Sequence, residues 1–270
     1  MELFFRKYGE AAPPMIIVHG LYGSSDNWVS IARDLSDRFE VYVVDQRNHG
    51  QSPHSPQHDY PSMREDLREF MDAQGLRRAV LIGHSMGGKT VMSFAEAWPA
   101  RVQAMVSIDI APRSYKNLAL ASRSAPNHSN IIEAMMKLDL SGIESREDAD
   151  QALAHSIGSE RIRSFLLKNL RRDPGGAFRW RLNLEAIAAS QDAIFGGMDH
   201  DAIAARGGIT GFPALFISGG NSEYIRAEDH QAIRDIFPTA EFVTIPGAGH
   251  WVHAEQPALL VKTIRYFLDI

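Results

Sequence analysis

The sequence predicts an α/β fold in which a mostly parallel sheet is flanked by helices. Short apolar runs typical of buried strands alternate with segments of helical spacing through most of the 270 residues. Strands that are joined by helices favour parallel pairing, with helices covering both faces of the sheet. The predicted strands are residues 3–8, 15–18, 41–45, 79–82, 105–110, 214–218 and 241–245.

The alternation stops between Pro112 and about Gly207, where the chain is helical in spacing, poor in strands and nearly balanced in charge. An insertion after the carboxyl end of a strand is expected above the sheet edge at which ligands bind. We therefore predict a helical cap at 112–207, inserted after the strand that ends at Ile110, and a core made of 1–111 and 208–270. A helical decoration unrelated to any site is the alternative.

Composition excludes several classes of protein. Hydrophobic residues make up 44% and charged residues 23%, as in soluble globular proteins. The net charge of −5 argues against a nucleic-acid partner, and the absence of cysteine excludes disulfides and thiolate metal sites. The start of the chain lacks a signal-peptide pattern, and no apolar run approaches the ~18 residues of a membrane span. We expect a cytoplasmic protein, and the oligomeric state is not predicted.

The segment Gly83-His84-Ser85-Met86-Gly87 combines a predicted strand, a serine and a predicted helix at 88–95. This order is typical of a tight turn that holds a serine in strained backbone geometry with its hydroxyl at the sheet edge. Glycines flank the serine because side chains there would clash with the crossing strand or helix. Ser85 is therefore the candidate nucleophile, and a serine that merely caps the helix is the alternative.

A serine hydroxyl needs a base that takes its proton. His250 lies in a glycine-rich loop between the last predicted strand and the predicted helix at 254–268, which returns it to the carboxyl edge of the sheet. His250 is therefore the candidate base, and His253 is the alternative. We expect His84 and His19 to be packed and hydrogen-bonded instead.

Acyl chemistry at a serine also needs two backbone N–H groups where negative charge develops. The first candidate is Met86, which follows the serine and opens a helix. The second candidate is Leu21, in the loop His19-Gly20-Leu21-Tyr22-Gly23 after the predicted strand 15–18. An ordinary tight turn explains the same glycines equally well.

These motifs together resemble the α/β-hydrolase superfamily over nearly the whole chain, and in particular the YbfF-type bacterial esterases. The matching strings are HGLYGSSDNW, DQRNHGQS, GHSMGG, IDIAP, GGNSEYI and GAGHWVHAEQP. The resemblance implies a serine hydrolase that cleaves a small-molecule carboxylic ester or an acyl thioester such as acyl-CoA. It implies no metal and no organic cofactor.

The acid partner of His250 departs from the common pattern of that superfamily. Many members carry an aspartate at the position where this chain has Ser222. Asp109 ends the predicted strand 105–110, and a carboxylate among apolar residues needs a partner such as a histidine N–H. Asp109 is therefore the predicted acid, and the YbfF-type resemblance also places the acid at this strand. The alternatives are Glu223, Glu185 and Asp192.

Two other functions stay open on the same scaffold. A carbon–carbon lyase of the menaquinone-pathway type also carries the motif His-Gly-x-x-Gly-Ser, but those enzymes keep the aspartate that is missing at Ser222. A ligand receptor on a hydrolase scaffold is the other alternative, because fold alone does not determine function. We further expect apolar cap residues to form the acyl pocket: Ile131, Ile132, Met135, Met136 and Leu138.

Overall fold

The computed structural model describes residues 1–116 and 127–269. Its strands are β1 (Phe5–Tyr8), β2 (Pro14–Val18), β3 (Glu40–Val44), β4 (Ala79–His84), β5 (Val102–Ile108), β6 (Leu170–Arg172), β7 (Phe178–Trp180), β8 (Ala214–Gly219) and β9 (Ala240–Ile245). Seven of them form one sheet in the order β1-β3-β2-β4-β5-β8-β9. Only β1 pairs antiparallel in that sheet, which confirms the predicted, mostly parallel architecture.

Helices fill most of the connections between these strands. They are α1 (Val29–Leu35), α2 (Tyr60–Ala73), α3 (Met86–Ala97), α4 (His128–Lys137), α5 (Arg146–Ala154), α6 (Glu160–Leu166), α7 (Leu184–Ala189), α8 (Gln191–Ile194), α9 (His200–Ala205), α10 (Asp229–Ile236), α11 (Val252–Glu255) and α12 (Pro257–Phe267). Short 3₁₀ turns lie at Ser25–Trp28, Pro99–Arg101, Leu140–Gly142 and Leu167–Asn169. Within residues 1–116 and 127–269, no helix is both long and apolar enough to cross a membrane.

The sheet buries both of its faces, because side chains along each strand alternate between two helical layers. On β2, Ile16 and Val18 pack into the cluster that contains apolar residues of α2 and α3. Met15 and Ile17 of the same strand pack into the cluster of α1 and α12. The continuous apolar runs of the central strands thus reflect burial on both sides.

The carboxyl ends of β4, β5 and β8 lie next to one another. His84 pairs in register with Ile108, and Ile108 pairs with Ile217. The residues that follow these strands therefore emerge at the same edge of the sheet. This edge receives the turn after β4, the residue after β5 and the loop after β8.

The segment between β5 and β8 forms its own apolar cluster above this edge. The cluster joins α4 and α5 to Leu21 and Met86, which belong to the sheet side. Helix α9 differs, since its Ile203 packs with apolar residues of α10 in a sheet-face cluster. The cap predicted at 112–207 therefore includes, near its end, a helix that packs on the sheet.

Two elements differ from the sequence expectation. The segment after Pro112 contains an antiparallel hairpin, in which Leu170 pairs with Trp180 across a turn containing Gly176. The stretch Asp173-Pro174-Gly175-Gly176 is a turn signal that could have revealed it. The predicted helix at 254–268 is two helices, because Pro257 lacks an N–H and drives Gln256 out of helical geometry, to φ −138° and ψ 55°.

Candidate active site

Ser85 lies in a strained turn between β4 and α3, with φ 52° and ψ −119°. A Cβ on Gly83 would lie 2.2 Å from the carbonyl oxygen of Gly87, and one on Gly87 would lie 2.2 Å from that of Val18. No side chain fits at either position, so both glycines are required for this turn. The turn presents the Ser85 hydroxyl at the carboxyl edge of the sheet.

The three side chains that the sequence singled out meet in one line of contacts. Nε2 of His250 lies 3.0 Å from Oγ of Ser85, and Nδ1 of His250 lies 2.7 Å from Oδ2 of Asp109. The Asp109 side chain is fully buried and that of His250 is 10% exposed. The imidazole therefore bridges a hydroxyl and a carboxylate that come from two neighbouring strand ends.

Three donors converge on the Asp109 carboxylate. The N–H of Gly219 donates to Oδ1 at 3.0 Å, and the Ser222 hydroxyl donates to Oδ2, the oxygen that also faces His250. Ser222 stands where many α/β hydrolases carry an aspartate, and here it supports the carboxylate instead of supplying one. Sequence reasoning noted the substitution but missed this role.

Two of the alternative acids are exposed residues of the inserted segment, and the third follows Ser222. Glu223 follows Ser222 in the loop after β8, but Nδ1 of His250 faces Asp109. Glu185 is exposed on α7, and Asp192 is exposed on α8, where it pairs with Lys116 at 3.2 Å.

His84 and His19 are buried and hydrogen-bonded, as the sequence led us to expect, and Nε2 of His19 accepts from the N–H of Gln46 at 2.9 Å. Nε2 of His84 donates to the carbonyl of His250 at 2.8 Å, which anchors the loop that carries the imidazole. His253 stacks on Trp28 with centroids 4.6 Å apart. Burial lowers the pKa of His84 well below its usual value and that of His253 to about 3, so both are neutral near pH 7.

Leu21 and Met86, the candidates for binding an oxyanion, line the same pocket as Ser85. The loop that carries Leu21 is held from two sides. The N–H of Tyr22 donates to Nε2 of His49 at 3.3 Å, and the side-chain amide of Asn169 donates to the carbonyl of Tyr22 at 2.8 Å. Asn169 lies between β5 and β8, so the inserted segment braces this loop.

A pocket of about 620 Å³, its open mouth included, opens beside Ser85. It is lined on several sides by aromatic and apolar residues. The described lining residues are Leu21, Tyr60, Ser85, Met86, Lys89, Ile110, Tyr115, Lys116, Asn127, His128, Ser129, Ile194, Phe195 and Tyr224.

The expectation about which cap residues line this pocket was wrong. Ile131, Ile132 and Met135 are buried in the cluster of the inserted segment, and Leu138 packs against it. Met136 is 48% exposed. The reason is that α4 contributes its first residues to the pocket and turns its apolar stripe towards α5 and α7 instead.

Lys89 is a pocket residue that sequence reasoning missed. Its ammonium donates to the carbonyl of Arg113 at 2.9 Å and to that of Gly196, and it lies 4.8 Å from the centroid of the Tyr115 ring. Burial, with a smaller contribution from the Arg113 charge, lowers the pKa of Lys89 to about 7. A lysine in the first turn of a mostly apolar helix, directly after the serine turn, was the available signal.

In the part of the chain that the structure describes, no group of three histidine or acidic side chains is arranged to hold a metal ion. The expected lack of a cofactor stays a prediction.

Comparison with known proteins defines the class of this chain. The family model of the alpha/beta hydrolase fold matches residues 13–257. The chain therefore belongs to the α/β-hydrolase family, in agreement with its parallel sheet and with the serine turn after β4.

Its relatives narrow the class. The sn-1-specific diacylglycerol lipase ABHD11 of Mus musculus is 39% identical over 268 residues, which cover 96% of this chain and 82% of the relative. Esterase YbfF of Escherichia coli (strain K12) is 36% identical over 261 residues, which cover 95% and 93%. A solved marine microorganism esterase is 45% identical with a TM-score of 0.91, covering 98% of this chain and 99% of its own. These similarities support a hydrolase.

Proposed function

We propose that this protein is a serine hydrolase that cleaves carboxylic esters or acyl thioesters through an acyl-enzyme on Ser85. The observation that carries the proposal is the line of contacts from Ser85 Oγ through His250 to Asp109, at 3.0 and 2.7 Å. Relatives that are named as an esterase and a lipase support the ester class. The thioester part rests on the sequence resemblance.

Each residue has a defined role in the proposed reaction. Oγ of Ser85 attacks the substrate carbonyl while Nε2 of His250 takes its proton and then passes it to the leaving group. Asp109 accepts the Nδ1–H bond, which keeps Nε2 free to accept a proton and stabilises the imidazolium. The N–H groups of Leu21 and Met86 bind the oxyanion. Water, activated by the same histidine, then hydrolyses the acyl-enzyme.

The segment 112–207 acts as a cap in this proposal. Its residues Asn127, His128, Ser129, Ile194 and Phe195 contribute to the pocket beside Ser85. Because the pocket is largely aromatic and apolar, it suits the acyl chain of a small-molecule substrate. A cytoplasmic location and the lack of a nucleic-acid partner stay predictions from the sequence.

A fluorophosphonate probe tests the nucleophile directly. We expect a covalent adduct on the peptide that contains Ser85, detected by mass spectrometry, and no adduct in Ser85→Ala. Ser93→Ala is the matched control, because Ser93 lies on the same helix and should leave labelling intact. An adduct on another residue, or none at all, would refute a serine hydrolase of this kind.

Substrate screening separates the hydrolase from its alternatives. Acyl esters and thioesters of graded length should be hydrolysed by the protein and not by Ser85→Ala. A carbon–carbon lyase would show little turnover of these substrates. A receptor would bind ligand without turnover and would bind it equally well after Ser85→Ala.

A further inference from the structure

The ring of Tyr224 lies flat against the imidazole of His250. The two ring centroids are 3.7 Å apart and the planes are inclined by 16°. Tyr224 belongs to the loop after β8, is 6% exposed and lines the pocket beside Ser85. One face of the imidazole is therefore covered by an aromatic ring.

Contacts that do not involve His250 hold Tyr224 in place. Its carbonyl accepts a hydrogen bond from the Tyr115 hydroxyl at 2.5 Å, and its N–H donates to Oγ of Ser222 at 3.3 Å. Its own hydroxyl lies 3.3 Å from Nε2 of His128, the first residue of α4. Main chain and side chain are thus both fixed, so the ring forms a preset surface for the imidazole.

Other titratable groups face His250 from several elements. The His84 ring of β4 lies 4.9 Å away, and Asp109 after β5 contacts Nδ1. His253 of α11 and His128 of α4 also interact electrostatically with His250. Burial lowers the pKa of His84 well below its usual value and that of His128 and His253 to about 3, so His128 and His253 stay neutral between pH 5 and 8.

The stacking geometry fits a charged imidazole better than a neutral one. Two neutral aromatic rings prefer offset or edge-on arrangements, since face-to-face stacking brings their negative faces together. An aromatic face attracts a cation instead. In the proposed reaction the imidazole becomes a cation when Ser85 loses its proton. Its attraction to the Tyr224 ring is therefore strongest at that step.

We propose that Tyr224 is a positioning residue for His250, whose ring holds the imidazole plane with Nε2 towards Ser85 and stabilises its protonated form. This inference rests on the proposed hydrolase function. It also links the loop after β8 to the inserted segment, through the contact between the Tyr224 hydroxyl and His128.

Three variants test the inference through the pH dependence of kcat/KM on a short p-nitrophenyl ester. Tyr224→Leu removes the ring, and Tyr224→Phe keeps it without the hydroxyl. Phe195→Leu is the matched control, since Phe195 lines the same pocket and its ring lies 5.1 Å from that of His128 rather than on His250.

We expect Tyr224→Leu to move the acid limb of the profile to lower pH by roughly half a unit and to lower kcat roughly two- to tenfold. The sign follows because a less stable imidazolium releases its proton at lower pH. Tyr224→Phe and Phe195→Leu should keep the acid limb of the unmodified protein, whatever they do to KM. A purely structural role for Tyr224 would lower activity without moving the limb.

The inference is overturned if the acid limb of Tyr224→Leu stays in place, or if Tyr224→Phe moves it equally. Circular dichroism and fluorophosphonate labelling of Ser85 in each variant show that the fold and the nucleophile are intact. If the proposed function itself fails, the unmodified protein neither hydrolyses the ester nor takes the label. The two failures are therefore distinguishable.

Discussion

Asp109 combines an unusual backbone with a crowded carboxylate. Its φ is 52°, in the left-handed region that aspartate and asparagine tolerate better than most residues. Asp109 directly follows β5, and its positive φ turns the chain there while its side chain stays at the sheet edge. Asparagine is therefore a fair substitute here, since it fits the backbone and the volume.

Asp109→Asn should lower kcat by about 10⁴, as the equivalent change does in a related triad. The amide favours the wrong tautomer of His250, so Nε2 no longer accepts the Ser85 proton. The measurement is steady-state hydrolysis of a short ester, with thermal melting to show that the fold is kept. A loss smaller than about tenfold would place the acid elsewhere.

Two residues of the loop after β8 provide graded controls. Ser222→Ala removes one donor to Oδ2 and should lower kcat by roughly tenfold, as expected for a hydrogen bond to a charged group. Glu223→Gln should have a much smaller effect, because Asp109 occupies Nδ1 of His250. If Glu223→Gln lowered kcat more than Asp109→Asn and Ser222→Ala do, Glu223 would be the acid instead of Asp109.

At the level of elements, Lys89 connects helix α3 to both ends of the inserted segment. Its ammonium donates to the carbonyl of Arg113, at the start of that segment, and to that of Gly196, near its end. The side chain is almost fully buried. Lys89 therefore ties the cap to the helix that begins at the serine turn.

The buried amine makes stability depend on pH. The pKa of Lys89 is about 7 in the folded protein, against an ordinary value of 10.5. Between these pH values the unfolded chain binds one more proton, so the free energy of unfolding rises with pH by about 1.4 kcal/mol per unit. Below about pH 7 lysine is charged in both states, and the desolvation cost is fully present.

Urea unfolding of the unmodified protein and of Lys89→Met checks this dependence. The stability of the unmodified protein relative to Lys89→Met should rise by about 2 kcal/mol between pH 7 and pH 9. Lys262→Met, at an exposed position of α12, should show no such change. An equal difference at both pH values would mean that Lys89 titrates normally.

Pocket residues and cluster residues of the cap should respond differently to truncation. Both Ile194 and Ile132 belong to the cap cluster, but only Ile194 of the two also lines the pocket. Ile194→Ala should favour longer acyl esters over short ones by roughly tenfold in relative kcat/KM, because it lengthens the pocket. Ile132→Ala should cost about 2–5 kcal/mol of stability and leave the length preference unchanged. Identical length profiles in both variants would argue against this pocket as the acyl site.

At the scale of the molecule, the cap and the sheet share a core. The cluster around Ile132 includes Leu21 and Met86 from the sheet side. Ile132→Ala should therefore lower the midpoint of a single urea transition, with far-UV circular dichroism and tryptophan fluorescence changing together. Two separated transitions would instead show that the cap folds as an independent unit.

The sheet was predictable from sequence because its strands carry local signals. All seven strands of the main sheet were predicted, the central ones from apolar runs, and the motif around Ser85 identified the turn after β4. The contacts of Ser222, Tyr224 and Lys89 were not predictable, because each depends on residues distant in sequence. A buried apolar stripe on α4 looks the same in sequence whether it faces a pocket or another helix. For this reason the prediction of which cap residues line the pocket was wrong.

The adjacent ends of β5 and β8 bear on how this lineage could change over evolutionary time. Ser222→Asp alone would bring a second carboxylate against Asp109 in a buried site, where like charges oppose each other's ionisation. Asp109→Ser alone would leave His250 without its acid. Moving the acid between the two strands thus passes through a less fit intermediate in either order. We therefore expect the position of the acid, after β5 or after β8, to change rarely once it is established. The residue after β5 would then distinguish one lineage of such proteins from another.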